Sequence, residues 1–244
     1  MSGIWPPDVG GPASHAPDAV EYLRGRGHAV EVVVTADRAP APVPYPVHWI
    51  SRRIPVGARH VAAAALIARR ARRADVVYTT GMYTRSAAGA WLARRPYVVK
   101  LTGDPAFERA RRFDGARGFD RFQQAPGGPV ARALRLARDV SLRRAAHVFC
   151  PSAWLRELVV SWGVPAQRAS VLPNPAPEPD GLPTRAELRS RLGFAGPTAA
   201  WAGRLTAQKS LEVAFAAVAQ AGDRVRFVGP RAARGCWRSS PRPT

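Results

Sequence analysis

The sequence has few of the residues that build disulfide frameworks or metal sites. Its 244 residues include only two cysteines, Cys150 and Cys236, and five scattered histidines without an HxxxH pair. This composition fits a reducing compartment such as the cytosol, and it predicts a protein without a bound metal. Cys150, in the strand-like HVFC, is typical of a small buried hydrophobic residue rather than a nucleophile.

Long apolar runs and familiar catalytic motifs are also missing. No apolar stretch reaches the roughly 18 residues that a membrane-spanning helix needs. Residues 1–11 have neither a basic region nor an apolar stretch, so we expect no secretory signal there. The absence of GxSxG argues against the nucleophile elbow of an α/β-hydrolase. We therefore expect a cytoplasmic protein.

Acidic residues are scarce: 17 aspartates and glutamates face 37 lysines and arginines, which gives a net charge of +20. Such a charge suggests a polyanionic partner. No RNA-binding aromatic motif, zinc finger or helix-turn-helix supports specific nucleic-acid binding. Segment 52–73 carries seven arginines and no acid around an apolar run, 61–68. A helix of this kind can lie on anionic lipid headgroups, and a solvated basic helix end is the alternative.

Short runs rich in β-branched residues alternate with helix-like patterns along most of the chain. Several runs, such as VEVVV and DVVY, are apolar without alternation, as expected for strands buried on both faces of a parallel sheet. The pattern predicts a doubly wound α/β sheet. The predicted strands are 29–35, 47–50, 76–80, 97–101, 147–150, 170–172, 198–202 and 224–228. The predicted helices are 14–26, 57–73, 84–94, 130–145, 152–162, 185–192 and 208–221.

Capping residues mark the starts of two predicted helices, and a proline-rich segment marks a predicted domain boundary. Ser152 is placed to cap the helix that follows it, and Thr184 with Glu187 has the spacing of a capping box. Segment 173–183, PNPAPEPDGLP, is the most linker-like stretch. We place the boundary of a first domain, 1–177, inside it. Only about 60 residues follow, too few for a stable second domain.

Two loops contain candidate binding residues. Gly10 and Gly11 are paired ahead of the predicted helix 14–26, where glycines let a backbone approach a ligand closely. A simple glycine turn is the alternative. Asn174, in VLPNP, follows a predicted strand at the domain boundary, and a turn before proline explains it equally well.

Asp104 is a candidate because it follows the predicted strand 97–101 in the sequence KLTGDP. Ligands of open α/β sheets bind at the carboxyl ends of strands, where a loop carboxylate is well placed. The alternative makes Asp104 the N-cap of a helix that starts at Pro105.

The segment 203–210, GRLTAQKS, is the most informative part of the chain. It places Arg204 and Lys209 five residues apart, where a strand-like run turns into a helix-like run. Such a turn presents free N–H groups and the positive end of a helix dipole. The planar fork of arginine and the point charge of lysine are not interchangeable against phosphate. The pair predicts a diphosphate clamp, and two solvated cations at a helix start are the alternative.

In their order along the chain, these motifs resemble a family 4 glycosyltransferase with the GT-B fold. The resemblance rests on the glycine pair, RGHAVEVV, PSAWLRELVVSWGV, VLPNP and AGRLTAQKSLEVAFAAVA, and covers roughly residues 5–230. It implies two Rossmann-like domains, the second of which binds a nucleotide sugar as the donor substrate, with no further cofactor. The acceptor is unknown and could be lipid-linked, a glycan or a small molecule.

The resemblance also implies roles for the candidate residues. Arg204 and Lys209 would hold the donor diphosphate without a metal and stabilise the charge that builds on the departing nucleotide. Gly10 and Gly11 would lie beside the donor phosphates, and Asp104 would lie on the acceptor side. Transfer in this family retains the anomeric configuration.

The sequence departs from the family pattern in several places. Many members have a histidine where this chain has Gly103 and Asp104, and only Ser2-Gly3-Ile4 stands where a first strand is expected. The E-x7-E acidic motif is missing. We therefore expect an incomplete copy, with a partial donor domain over 178–230 and an out-of-frame tail over 231–244. A non-catalytic basic module on an anionic surface, peripheral at the inner membrane face, is the alternative function.

Overall fold

A computed structural model describes residues 1–8, 11–111, 113, 118–125, 127–174, 181–201 and 210–229. The chain divides into two compact units, Met1–Pro175 and Ala176–Thr244, which we call unit 1 and unit 2.

Unit 1 is built on parallel strands that are short, rich in β-branched residues and mostly buried. Two of them pair with each other, β1 (Val32–Ala36) and β2 (Val47–Ser51). Four more form a parallel sheet in chain order: β3 (Val77–Thr79), β4 (Tyr97–Lys100), β5 (His147–Cys150) and β6 (Ala169–Val171).

The first residues of the chain lie between β1 and β3. The backbone N–H of Ser2 donates to the carbonyl of Val33 at 3.1 Å, and the N–H of Thr80 donates to the carbonyl of Met1 at 3.0 Å. Burial lowers the pKa of the Met1 α-amino group to about 5, and this group lies 2.6 Å from the carbonyl of Tyr78. Residues 1–2 thus bridge the pair β1-β2 and the sheet β3-β4-β5-β6, between β1 and β3.

Helices connect the strands of unit 1, as the alternating pattern predicts. They are α1 (Gly11–Gly25), α2 (Val56–Ala71), α3 (Tyr83–Ala93), α4 (Pro105–Ala110), α5 (Phe119–Gln124), α6 (Pro129–Arg143) and α7 (Ala153–Ser161). Ser152 caps α7 by accepting from the backbone N–H of Leu155 at 3.3 Å, so the predicted cap is confirmed.

The main core of unit 1 lies around β3 to β6. Val99, Leu142, Val148 and Val159 are all fully buried there. Cys150 belongs to the same cluster, as its sequence context predicts, and burial raises the pKa of its thiol to about 11. A thiol in this state is a packing group at neutral pH rather than a nucleophile.

Unit 2 contains α8 (Arg185–Arg191), β7 (Thr198–Ala200), α9 (Leu211–Ala221) and β8 (Arg226–Val228). The strands β7 and β8 pair in parallel. Thr184 and Glu187 form the predicted capping box at the start of α8. Within 181–201 and 210–229, no residue whose burial is described is buried.

The predicted elements agree with the observed ones to within a few residues at most ends, with two exceptions. The predicted helices did not include α4 and α5, each of which has six residues, although the capping alternative for Asp104 places a helix start at Pro105. Fewer than two helical turns cannot display a hydrophobic period, so the sequence pattern lacked that signal. The first helix also begins earlier than predicted, at Gly11.

Candidate functional site

The carboxyl edge of the unit 1 strands carries two of the predicted site residues. Asp104 follows β4, and Asn174 follows β6 in an exposed position. Gly11 is the first residue of α1. Gly10, Arg204 and Lys209 lie outside the described residues, and so does the tail 231–244. Ligands of open parallel sheets bind at this edge.

Asp104 is buried and uses both carboxylate oxygens. Oδ1 accepts from the backbone N–H groups of Ala106 and Phe107 at 2.9 and 3.2 Å, which caps α4. Oδ2 accepts from the side chains of Gln123 at 2.8 Å and Arg138 at 2.6 Å. The capping alternative is therefore confirmed. An acceptor-side role for Asp104 stays a prediction.

Arg138, the partner of Asp104, has almost no exposed side chain, and its guanidinium carbon lies 3.7 Å from the centre of the Trp162 ring. Sequence analysis missed this residue because it lies within the predicted helix 130–145 among other arginines. Pairing with Asp104 and stacking on an aromatic face together stabilise a charge that burial alone would make costly.

A buried polar group near the end of β4 was also missed. Lys100 is 1% exposed, and its ammonium donates to the backbone carbonyl of Leu172. The Tyr83 hydroxyl lies 3.3 Å from the carbonyl of Thr80 and 3.5 Å from that of Lys100. The buried hydroxyl of Thr80 has no hydrogen-bond partner among the described residues.

Burial lowers the pKa of Lys100 and raises that of Tyr83. His15 lies beside this group, with Nε2 3.0 Å from the Tyr78 hydroxyl, and burial followed by the charge of Lys100 lowers its pKa. One signal could have found Lys100: it is one of only two lysines in an arginine-rich chain.

Arg52 holds the N-terminal segment in place and is not a free surface cation. Its guanidinium donates to Asp8 at 2.6 Å and to Asp37 at 2.9 Å, and also to the carbonyls of Gly3 and Thr35, both at 2.9 Å. Arg52 is therefore engaged within unit 1, and the predicted basic surface of segment 52–73 depends on the other arginines. Its partners lie far away in the sequence.

The apolar residues in the rest of that segment are also engaged within unit 1. In α2, Ala63, Ile67, Ala68 and Ala71 are buried, whereas Val61 is exposed. Part of the apolar run 61–68 therefore packs inside the protein, while Ala62 and Ala65 are exposed together with Val61. Association with an anionic membrane stays a prediction that rests on the arginines.

The described residues contain no group of three or more histidine, cysteine, aspartate or glutamate residues that could hold a metal ion. None of the helices among them is long and apolar enough to cross a membrane.

Residues 10–175 match the glycosyl transferase 4-like domain family. This match covers well over half of the sequence. The chain belongs to this family. The resemblance drawn from the sequence motifs is thereby confirmed, and the protein is a glycosyltransferase. The alternative of a non-catalytic basic module is not favoured. No curated protein matches this glycosyltransferase in sequence.

Solved structures support the same fold. HepE from Anabaena, in complex with UDP and glucose, is similar with a TM-score of 0.57 and 19% identity, over 95% of this chain and 69% of HepE. Sucrose-phosphate synthase from Thermosynechococcus elongatus gives a TM-score of 0.56 and 15% identity, over 91% of this chain and 65% of the synthase. At such low identity the likeness establishes the fold alone. The predicted GT-B-like α/β fold is confirmed for this glycosyltransferase.

Proposed function

We propose that this glycosyltransferase moves a sugar from a UDP-sugar donor to an acceptor, with retention of configuration and without a metal ion. The observation that carries the proposal is the family match over residues 10–175. The choice of donor is supported by HepE, which was solved with UDP and glucose and with UDP-glucose.

Each unit has a proposed task. Residues 1–177 form the acceptor-side domain, with Asp104 and Asn174 at the carboxyl edge of its strands. Residues 178–230 belong to the donor domain, where Arg204 and Lys209 grip the diphosphate of the donor. Gly10 and Gly11 bring backbone N–H groups to the same phosphates. Cations at the diphosphate stabilise the charge that develops on the leaving nucleotide and replace a metal in that role.

The scarcity of cysteine supports a cytoplasmic location for this reaction. Three exposed arginines at the end of α2 and just after it, Arg69, Arg72 and Arg73, support, as a further proposal, peripheral contact with an anionic membrane face.

Calorimetry with UDP tests the diphosphate clamp. Lys209→Ala should weaken binding by about 1.5–3 kcal/mol, the range for charge-assisted hydrogen bonds. Arg204→Lys should also weaken it, because a point charge cannot reproduce a bidentate fork. Arg191→Ala, which removes an exposed cation from α8 of the same unit, is the matched control and should leave affinity nearly unchanged.

Two results would contradict this assignment. Unchanged UDP affinity in both clamp variants would remove Arg204 and Lys209 from the site, and an equal loss in Arg191→Ala would indicate diffuse attraction.

A chelator should not alter UDP binding, whereas a loss on chelation would contradict metal independence. The anomeric configuration of the product, read by NMR, tests retention.

A further inference from the structure

A cavity of about 890 Å³ opens at the amino edge of the unit 1 sheet, where β4 and β5 begin. Tyr97, the first residue of β4, and Ala146, directly before β5, belong to its lining. The end of α3 and single residues that follow α2 and α6 line it as well. We call it the amino-edge cavity. Its volume lies in the range of small-molecule binding sites.

One part of the lining is apolar. Trp91 and Leu92, in the last turn of α3, line the cavity and are 67% and 52% exposed. Ala87 and Ala90 of the same helix and Pro96, in the turn to β4, add further apolar surface. An exposed tryptophan ring on a concave surface can pack against a flat apolar group of a ligand.

The other part of the lining is positively charged. Four arginines belong to it, Arg72, Arg94, Arg95 and Arg144, and none of the lining residues is acidic. Within the described chain, none of these four arginines forms an ion pair.

Helix dipoles offset only part of this charge. Arg72, Arg94 and Arg144 directly follow α2, α3 and α6, where a cation faces the negative end of a helix dipole. Each helix end carries about half a negative charge, so the three ends offset fewer than about two of the four cations. Positive charge therefore remains for a ligand.

Tyr97 adds a buried polar group to the lining. The residue is 4% exposed, and its hydroxyl has no hydrogen-bond partner among the described residues. Burial raises the pKa of this hydroxyl, while the charge of Arg144 acts in the opposite direction. The hydroxyl is therefore protonated at neutral pH and can donate. A buried donor without a partner costs free energy, which a ligand oxygen at this position would recover.

We propose that the amino-edge cavity binds a phosphate group carried on an apolar body. The arginine forks and the Tyr97 hydroxyl bind the phosphate oxygens, and Trp91 and Leu92 contact the apolar body. Phosphate has three acceptor oxygens and up to two charges, so it suits several cations better than a carboxylate does.

This site lies away from the edge at which open α/β sheets bind their substrates. That edge is the carboxyl edge, and the four residues of β4 separate the two edges by about 10 Å. The inference therefore goes beyond the proposed function: it adds a second ligand to the donor and the acceptor.

Calorimetry of the full chain with naphthyl phosphate tests the site. Arg144→Gln should weaken binding by about tenfold or more, and Tyr97→Phe by about threefold or more, as expected for lost hydrogen bonds to an anion. Arg132→Gln is the matched control, because Arg132 is an exposed arginine near the start of α6, about 18 Å along the helix from Arg144. This variant should bind as the parent does. Equal losses in Arg144→Gln and Arg132→Gln would overturn the proposal.

The two halves of the probe test whether both parts of the lining are used. Inorganic phosphate and naphthol should each bind at least about tenfold more weakly than naphthyl phosphate, because each lacks one set of contacts. Trp91→Ala should weaken the binding of naphthyl phosphate and leave that of inorganic phosphate unchanged. If either half alone bound as tightly as the whole probe, the proposal would be wrong.

Tyr97→Phe also gives a readout without any ligand. Its hydroxyl has no partner within the described part of the chain, so its removal should leave the melting temperature unchanged or raise it. A lower melting temperature would show that the hydroxyl is already hydrogen-bonded in the free protein, which contradicts the proposed site.

Vesicles distinguish a lipid headgroup from a free phosphate ester. Binding to vesicles that contain phosphatidic acid but not to naphthyl phosphate, with the same dependence on Arg144, would support the site and identify a lipid. Binding of naphthyl phosphate without a preference for these vesicles over phosphatidylcholine would identify a soluble ligand. Binding in neither form would overturn the proposal.

A parallel titration with UDP separates this proposal from the proposed function. UDP should not displace naphthyl phosphate, and displacement would place the probe at the donor site and overturn the inference. Bound UDP without bound naphthyl phosphate or vesicles overturns this inference alone. Bound naphthyl phosphate without bound UDP supports the amino-edge cavity and contradicts the proposed donor.

Discussion

At the scale of single residues, the buried pair of Asp104 and Arg138 should be the most sensitive position in unit 1. Asp104→Ala should lower the free energy of unfolding by about 2–4 kcal/mol, because it removes the cap of α4 and one of the two carboxylate partners of the buried Arg138, whose Nε still donates to Asp139 at 2.8 Å. Urea denaturation measures this loss. Asp120→Ala, which removes an exposed carboxylate from α5, is the control and should change stability by less than about 0.5 kcal/mol.

The double variant Asp104→Ala/Arg138→Met tests whether the loss comes from the unpaired charge. It should be less destabilised than the sum of the two single variants, because neither charge remains without its partner. Additive losses, or equal effects of Asp104→Ala and Asp120→Ala, would show that the pair does not stabilise the fold in this way.

At the scale of elements, α2 and α3 pack closely at Gly89. A Cβ at this position would lie 2.5 Å from Cγ2 of Ile67 and 2.9 Å from the carbonyl oxygen of Ala64. Gly89→Ala should therefore destabilise the protein by about 1–3 kcal/mol, although alanine is the better helix former. Thermal melting measures the effect.

Gly57 of α2 is the control for Gly89, since no neighbouring atom lies within 4 Å of a Cβ placed there. Gly57→Ala should leave stability unchanged or raise it by up to about 1 kcal/mol, through helix propensity and the entropy of the unfolded chain. If Gly89→Ala also raised the melting temperature, the prediction would be wrong, because α2 and α3 would then move apart at little cost in free energy.

At the scale of the whole molecule, the two units should differ in local stability. Strands β3 to β6 contribute residues to a buried hydrophobic cluster, whereas segments 181–201 and 210–229 contain no residue described as buried. Amides with few buried contacts exchange by local opening. We expect slow hydrogen exchange in β3 to β6 and fast exchange in those two segments. Mass spectrometry of peptides from both units measures it, and equal protection in the two units would contradict the prediction.

Much of the fold was predictable from sequence because its signals are local. The strand His147–Cys150 was predicted at its observed ends, and the caps at Ser152 and Thr184 were identified from neighbouring residues. Apolar runs, helical periods and capping residues all act within a few positions along the chain. A local signal can also be ambiguous. For Asp104 the sequence left two alternatives, a helix N-cap and a ligand-binding carboxylate, because both place an aspartate in the loop after a strand.

The sequence by itself determined the α/β class, the order of the longer helices and the strands, and the family, since each depends on patterns that are continuous along the chain. Only the tertiary structure decided which charges meet. It pairs Arg52 with Asp8 and Asp37, and it buries Lys100 against the carbonyl of Leu172. These contacts form because the strands are parallel, so that the loops after separate strands lie at the same edge of the sheet. The hydrophobic period of a single segment carries no information about which loops become neighbours.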